Sequence, residues 1–293
     1  MGARVISAEN LQKIRHIQIQ TRRLLSGALV GDARSRQKGS GFEFDQIREY
    51  QQGDDVRFID WRSSARANKL LVKEYIEERN RTIILAVDCS ASQYYGSGEH
   101  FKVDRTAQIA AVLTLVANYG SDNVSLILFS DHVEYFIPPA RGRQHTRAIL
   151  EQLFTVTLTS KKTSIACALS YAAKQKRKDA LLFVISDFID QGFERDLSLV
   201  SRMYDTVAIS CFDPLECELP ELGFVEVVDP ETGDTCVIDT RKKKQAQLHS
   251  FFAARAQEQE NLFNKYGVDR LALSMTQPFM GELIRFFRRR MRY

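Results

Sequence analysis

Asp88, Ser90 and Ser92 stand at alternate positions directly after the apolar run Ile83–Val87. In an extended turn, alternation lets three side-chain oxygens converge on one point. One charged and two neutral hard oxygens suit Mg²⁺ rather than a soft metal. Asp and Ser are also ordinary turn and capping residues, so D-x-S-x-S alone fits a capped turn equally well. Two further residues tilt the balance. Thr163, in Lys162-Thr163-Ser164-Ile165, opens a predicted helix and can offer a hydroxyl, and Asp187, in Val184-Ile185-Ser186-Asp187, ends a second apolar run. Five residues from three loops, Asp88, Ser90, Ser92, Thr163 and Asp187, are therefore the expected ligands of one Mg²⁺ or Mn²⁺, with Mg–O distances of about 2.1 Å. No G-x-S-x-G, H-E-x-x-H or P-loop text accompanies them. His16, His100, His132, His145 and His249 show no ligand spacing. A non-enzymatic binding role is the expectation. The alternative is an Mg²⁺-dependent hydrolase of phosphate or peptide bonds, for which one ion held by neutral hydroxyls is a poor water activator.

The elements that must position these residues alternate between strand and helix. Thr82–Val87, Val124–Phe129, Val133–Ile137, Ala180–Ile185 and Thr206–Phe212 read as strands, with Pro138-Pro139 ending the third. Helices are expected near Val103–Tyr119 (closed by Gly120), Gln144–Phe154, Ile165–Lys174 and Phe193–Met203. This alternation argues for an α/β fold with a doubly wound, mostly parallel sheet. In such sheets ligands bind beyond the carboxyl ends of the strands, where Asp88 and Asp187 fall. Leu70–Ile76 and Thr82–Val87 flank a charged connection and fit an antiparallel pair. After Pro214, Phe224–Val228 and Thr235–Ile238 bracket the turn-rich Asp229–Asp234 as a hairpin. A long helix then runs from about Arg241 to Tyr266 with Thr240 as N-cap, followed by a late strand at Leu271–Ser274 and a helix at Gly281–Arg290.

The flanks are strongly charged. Residues 8–26 have helical spacing with Ser7 as N-cap, and Arg4, Lys13, Arg15, Arg22, Arg23, Arg34, Arg36 and Lys38 face only Glu9 and Asp32 within residues 1–40. A solvated helix face is preferred over nucleic acid or an acidic membrane. Residues 31–68 read as loop-rich, with Glu43, Arg48, Asp60 and Arg66 around Trp61. Hydrogen-bonded ion pairs pinning an irregular segment are the favoured reading, with Trp61 as a packing anchor; a partner-contact surface is the other. Arg285, Arg288, Arg289, Arg290 and Arg292 crowd the last helix, where they complement its dipole and stay solvated.

Over 293 residues the chain carries 41 basic and 37 acidic side chains, +4 in all, far from a dedicated nucleic-acid binder. Cys89, Cys167, Cys211, Cys217 and Cys236 are odd in number and widely spaced, matching neither a disulfide framework nor a zinc site. With no signal-peptide pattern and no transmembrane run, a cytoplasmic location is expected.

The order and separation of Asp88, Ser90, Ser92, Thr163 and Asp187 resemble the von Willebrand factor A-type domain, whose metal-ion-dependent adhesion site joins a D-x-S-x-S loop to a distant Thr and a distant Asp. The resemblance covers about Arg81 to Asp213 and includes Asp122–Ser130 as a core strand. Around it, Gly41–Tyr50, Gly53–Trp61, Ser63–Arg66 and Leu71–Tyr75 resemble the signature of bacterial domain-of-unknown-function 58 proteins. The resemblance implies a von Willebrand factor A-like domain at 70–213, an N-terminal helix and charged loop extension at 1–69, and a C-terminal extension of hairpin, helix and basic end at 214–293. It also implies a metal-dependent protein-interaction module that serves as adaptor or assembly partner of a MoxR-type AAA+ ATPase. A partner's Asp or Glu would complete the metal shell. Neither nucleic acid nor a membrane span is implied.

Overall fold

The computed structural model describes residues 17–18, 38–39, 43–76, 81–96, 101–155, 160–217 and 220–290. The chain divides into a smaller unit, 24–80, and a larger one formed by 1–23 and 81–293. The helix expected over 8–26 lies outside the described residues except for Ile17 and Gln18, which are helical.

The smaller unit holds β1 (Lys38–Gly39), β2 (Glu43–Glu49), α1 (Trp61–Ala67) and β3 (Leu71–Ile76), with strand order β1-β3-β2, all antiparallel. β3 therefore pairs within this sheet, not with the strand at Thr82 as expected. β2 is a strand where the charged sequence predicts a loop. A register shift between Phe44 and Gln46 marks a bulge, which breaks the period-two alternation by which a strand is recognised. The dense charge does pin the irregular segment. Arg48 grips Asp54 with two bonds of 2.6 and 2.7 Å, and Asp60 caps α1 by accepting from the Arg62 and Ser63 amides at 3.1 and 3.2 Å. Trp61 is 66% exposed, so it is no packing anchor: as the first residue of a short capped helix, its side chain points to water.

In the larger unit the chain runs β4 (Thr82–Asp88), α2 (Lys102–Tyr119), β5 (Asn123–Phe129), β6 (Val133–Ala140), α3 (Arg143–Thr155), α4 (Ile165–Lys174), β7 (Ala180–Ser186), α5 (Glu194–Met203) and β8 (Asp205–Phe212). It continues through α6 (Pro214–Cys217), β9 (Phe224–Val228), β10 (Thr235–Asp239), α7 (Lys242–Lys265), β11 (Asp269–Ser274) and α8 (Met280–Arg290). Six strands form one sheet in the order β11-β8-β7-β4-β5-β6, parallel except for β6. The fold is α/β with a mostly parallel sheet. β6 runs on through Pro138 and Pro139, which an edge strand tolerates because one side needs no ladder donors.

Successive residues of β4 feed opposite cores, as a strand's alternating side chains must. Leu85 and Val87 pack with Ile109 and Val112 of α2, Ile149 of α3 and Phe286 of α8, whereas Ile84 and Ala86 pack with Leu169 of α4, Val200 of α5 and Phe263 of α7. Each such fully buried aliphatic side chain contributes about 1.5–3 kcal/mol. The C-terminal segment is thus part of the main core. In its last helix Arg285, Arg288 and Arg289 are exposed, as expected, whereas Arg290 pairs with Asp205 and, at 2.7 Å, with Asp269, at the starts of β8 and of the edge strand β11.

Candidate functional site

β4 leads through α2 to β5 on one side, and the chain later crosses back to place β7 on the other. The strand order reverses about β4, and the crevice beyond its carboxyl end is where open α/β sheets bind ligands. Asp88 is the last residue of β4 and is fully buried. Its Oδ1 accepts from the Ser90 amide at 2.9 Å and its Oδ2 from the Ser186 hydroxyl at 2.6 Å, with Gln93 Nε2 at 3.5 Å. The Ser90 and Ser92 hydroxyls lie 3.0 Å apart. Burial, and then the charge of nearby Asp187, push the Asp88 carboxyl well above the usual range. Among the described residues no basic side chain is paired with it.

Asp187 follows β7, one residue beyond the serine that holds Asp88. Its Oδ1 accepts from the Ile189 amide at 3.1 Å, and its Oδ2 takes a 2.8 Å bond from Lys102. Phe188 next to it has φ +56°, a left-handed conformation that costs a non-glycine residue about 1–3 kcal/mol. Packing over-determines the turn: the Phe188 ring meets Phe193 and Phe263, and its carbonyl accepts from Gln259. Lys102, only 1% exposed, also donates to Glu216 at 2.7 Å. Burial alone would weaken the Lys102 ammonium, but Asp187 and Glu216 outweigh it and the net shift is upward.

Thr163 stands apart from the other four in its bonding. The Ala91 amide bonds to the Lys161 carbonyl at 3.1 Å, which ties the Thr163 loop to the serine loop. The Thr163 hydroxyl itself donates to Glu231 Oε1 at 2.6 Å, and its amide donates to Oε2 at 3.3 Å. Ser164, not Thr163, caps α4, its Oγ accepting from the Cys167 amide. The structure thus joins Asp88, Ser90 and Ser92 by hydrogen bonds and brings Asp187 near enough for its charge to act on Asp88, whereas Thr163 lies two residues beyond Lys161, whose carbonyl makes the backbone bond to the serine loop.

Four residues escaped sequence reasoning. Ser186 could have been found, since it ends the same apolar run as Asp187. Lys102 and Glu216 could not: a lysine in a first helical turn and a glutamate in a one-turn helix read as solvated. Gln93 is fully buried, and its Oε1 has no hydrogen-bond partner.

The arrangement carries a net negative charge, with the Lys102 ammonium against the carboxylates of Asp88, Asp187, Glu216 and Glu231. A buried carboxylate held only by neutral donors, beside two converging hydroxyls and an orphaned amide oxygen, is a donor set that fits a hard divalent cation. Among the described residues no group of three His, Cys, Asp or Glu side chains gathers to hold a metal, so such a site would depend on hydroxyl and amide oxygens.

The family model described as "Protein of unknown function DUF58" matches residues 46–261. The chain belongs to this family. Uncharacterized proteins of Mycobacterium bovis and Mycobacterium tuberculosis are 26% identical over 282 residues, covering 95% of this chain and 89% of theirs. The solved structure of the conserved hypothetical protein BatB from Bacteroides thetaiotaomicron aligns with 73% of the DUF58 chain and 100% of its own, at 12% identity and a TM-score of 0.47. No helix among the described residues is long and apolar enough to cross a membrane.

Proposed function

We propose that this DUF58 chain is a metal-dependent protein-binding module: a von Willebrand factor A-like domain whose adhesion-type site holds Mg²⁺ or Mn²⁺. The carrying observation is Asp88, buried at the carboxyl end of β4 with no cationic partner among the described residues, beside the paired hydroxyls of Ser90 and Ser92. Asp88, Ser90 and Ser92 are the residues that would hold the ion, with Asp187 supplying further negative charge and Thr163 a hydroxyl on the adjoining loop. The ion, when bound, supplies an electrophilic position for an acidic side chain of a protein partner. Few charged ligands offset the cost of dehydrating Mg²⁺, so its affinity for the free chain is modest, and ion and partner tighten each other's binding.

The family resemblance points to a MoxR-type AAA+ ATPase as the partner, with this chain as adaptor or assembly factor. The test is co-purification of the chain with the MoxR-type ATPase of the same genome, in Mg²⁺ and in EDTA. The proposal expects a complex that forms in Mg²⁺ and is lost in EDTA and in Asp88→Ala. A complex unaffected by both overturns the metal bridge and leaves the charged segment around Arg48 and Asp60 as the better contact surface.

A further inference from the structure

Among the described residues the hairpin formed by β9 and β10 pairs only with itself. Its strands present Val227, Val228 and Val237 to solvent, at 37%, 56% and 64% exposure. Every residue from 226 to 237 is exposed except one, Glu231 at the tip. At the base, Thr240 accepts from the Leu222 amide and donates to the Gly223 carbonyl, both at 2.9 Å. At the tip, among the described residues, the hydrogen bonds to the rest of the chain run through the Glu231 carboxylate to Thr163.

The tip is built to present that side chain. Asp229 accepts from the Glu231 amide at 2.8 Å, its backbone pairs with Asp234 and Gly233, and Gly233 takes φ +79°, where a glycine avoids strain. Thr163 in turn offers a carboxylate two donors from one residue, hydroxyl and amide. A carboxylate bound by two donors is a recognition geometry, and charge-assisted bonds of this kind are the stronger class. Thr163 also adjoins the loop that touches Ala91, between Ser90 and Ser92.

We infer that Thr163 heads a carboxylate-binding subsite whose resident ligand is the chain's own Glu231, and that a partner's acidic side chain binds by displacing the hairpin tip. The inference rests on the adhesion-type reading for its partner but not for the subsite itself. Displacement frees a hairpin whose apolar strands already face solvent, so a partner entering at Thr163 meets Val227, Val228 and Val237 beside it.

The probe is a synthetic peptide spanning residues 226–237, with Glu or with Gln at position 231, titrated against full-length wild type and Glu231→Ala in Mg²⁺. The Glu peptide is expected to bind Glu231→Ala about tenfold tighter than wild type, as loss of a charged hydrogen bond implies. The Gln peptide should bind neither, and Thr163→Val added to Glu231→Ala should abolish binding. Amide exchange across 226–237 should quicken in Glu231→Ala while the sheet core keeps its protection, which reports that the variant is folded. No binding at millimolar peptide, equal binding of Glu and Gln peptides, or equal binding to both proteins overturns the inference. If the expected pattern persists in EDTA and in an Asp88→Ala background, the subsite stands whatever the fate of the metal reading, which the ATPase co-purification tests separately.

Discussion

Removing the Lys102 ammonium should cost more than any surface change in this chain. Lys102→Met keeps the length of the side chain but leaves two carboxylates without their cation. Asp187 suffers most: its side chain is 3% exposed, whereas that of Glu216, at 23%, can still be hydrated. Breaking a buried pair by removing one partner costs about 3–5 kcal/mol, because the remaining charge is neither paired nor solvated. For a chain of this size each kcal/mol shifts the midpoint by about 2–4 °C, so a fall on the order of 10 °C is expected in chelator. The double variant Lys102→Met/Asp187→Asn removes the orphaned charge along with the ammonium, and should recover most of that loss. Urea unfolding of wild type, the two single variants and the double variant at pH 7 gives the coupling energy directly. A Lys102→Met penalty below about 1 kcal/mol, or a double variant no more stable than the single, would refute the reasoning that this ammonium neutralises a buried carboxylate.

In the smaller unit, the Arg48 side chain and the Gln51 amide hold the Asp54 carboxyl down to about 2. A depressed carboxyl contributes stability above its unfolded value that disappears as pH falls through the folded one. Carboxyl NMR titration should therefore place Asp54 near 2 in wild type and within the ordinary carboxylate range in Arg48→Ala; the same value in both would contradict the pairing. At the hairpin base, Thr240→Val removes a hydroxyl that both donates and accepts, at a site 1% exposed. It should cost about 1–3 kcal/mol and quicken amide exchange at Leu222 and across the hairpin, and exchange unchanged there would contradict it.

The strands β4, β5, β7 and β8 and their parallel arrangement are legible because each is a short, nearly continuous apolar run, the pattern that burial on both faces imposes on a parallel sheet. Asp88 and Asp187 were legible as strand-end acids for the same reason. β2 was not, since its bulge destroys the alternation and its text is charged. Thr240 was read as a helix cap, and the structure gives its hydroxyl to the hairpin base while Arg241 starts α7 without a side-chain cap. Gly120 closes α2 as its sequence position predicts, and the positive φ of the turn falls on the next residue, Ser121. The largest gap lies around Lys102, Glu216 and Glu231. Their meaning depends on contacts across 85, 114 and 68 residues of chain, and no local pattern reports such distances.

The central claim is that Asp88 anchors a divalent cation for a protein-binding module. Titration calorimetry of Mg²⁺ into chelator-stripped wild type and Asp88→Ala tests it most directly, with near-identical circular dichroism as the check on folding. One modest-affinity Mg²⁺ site is expected in wild type and none in Asp88→Ala. The same binding isotherm in both proteins, or no Mg²⁺ binding to wild type, would contradict it.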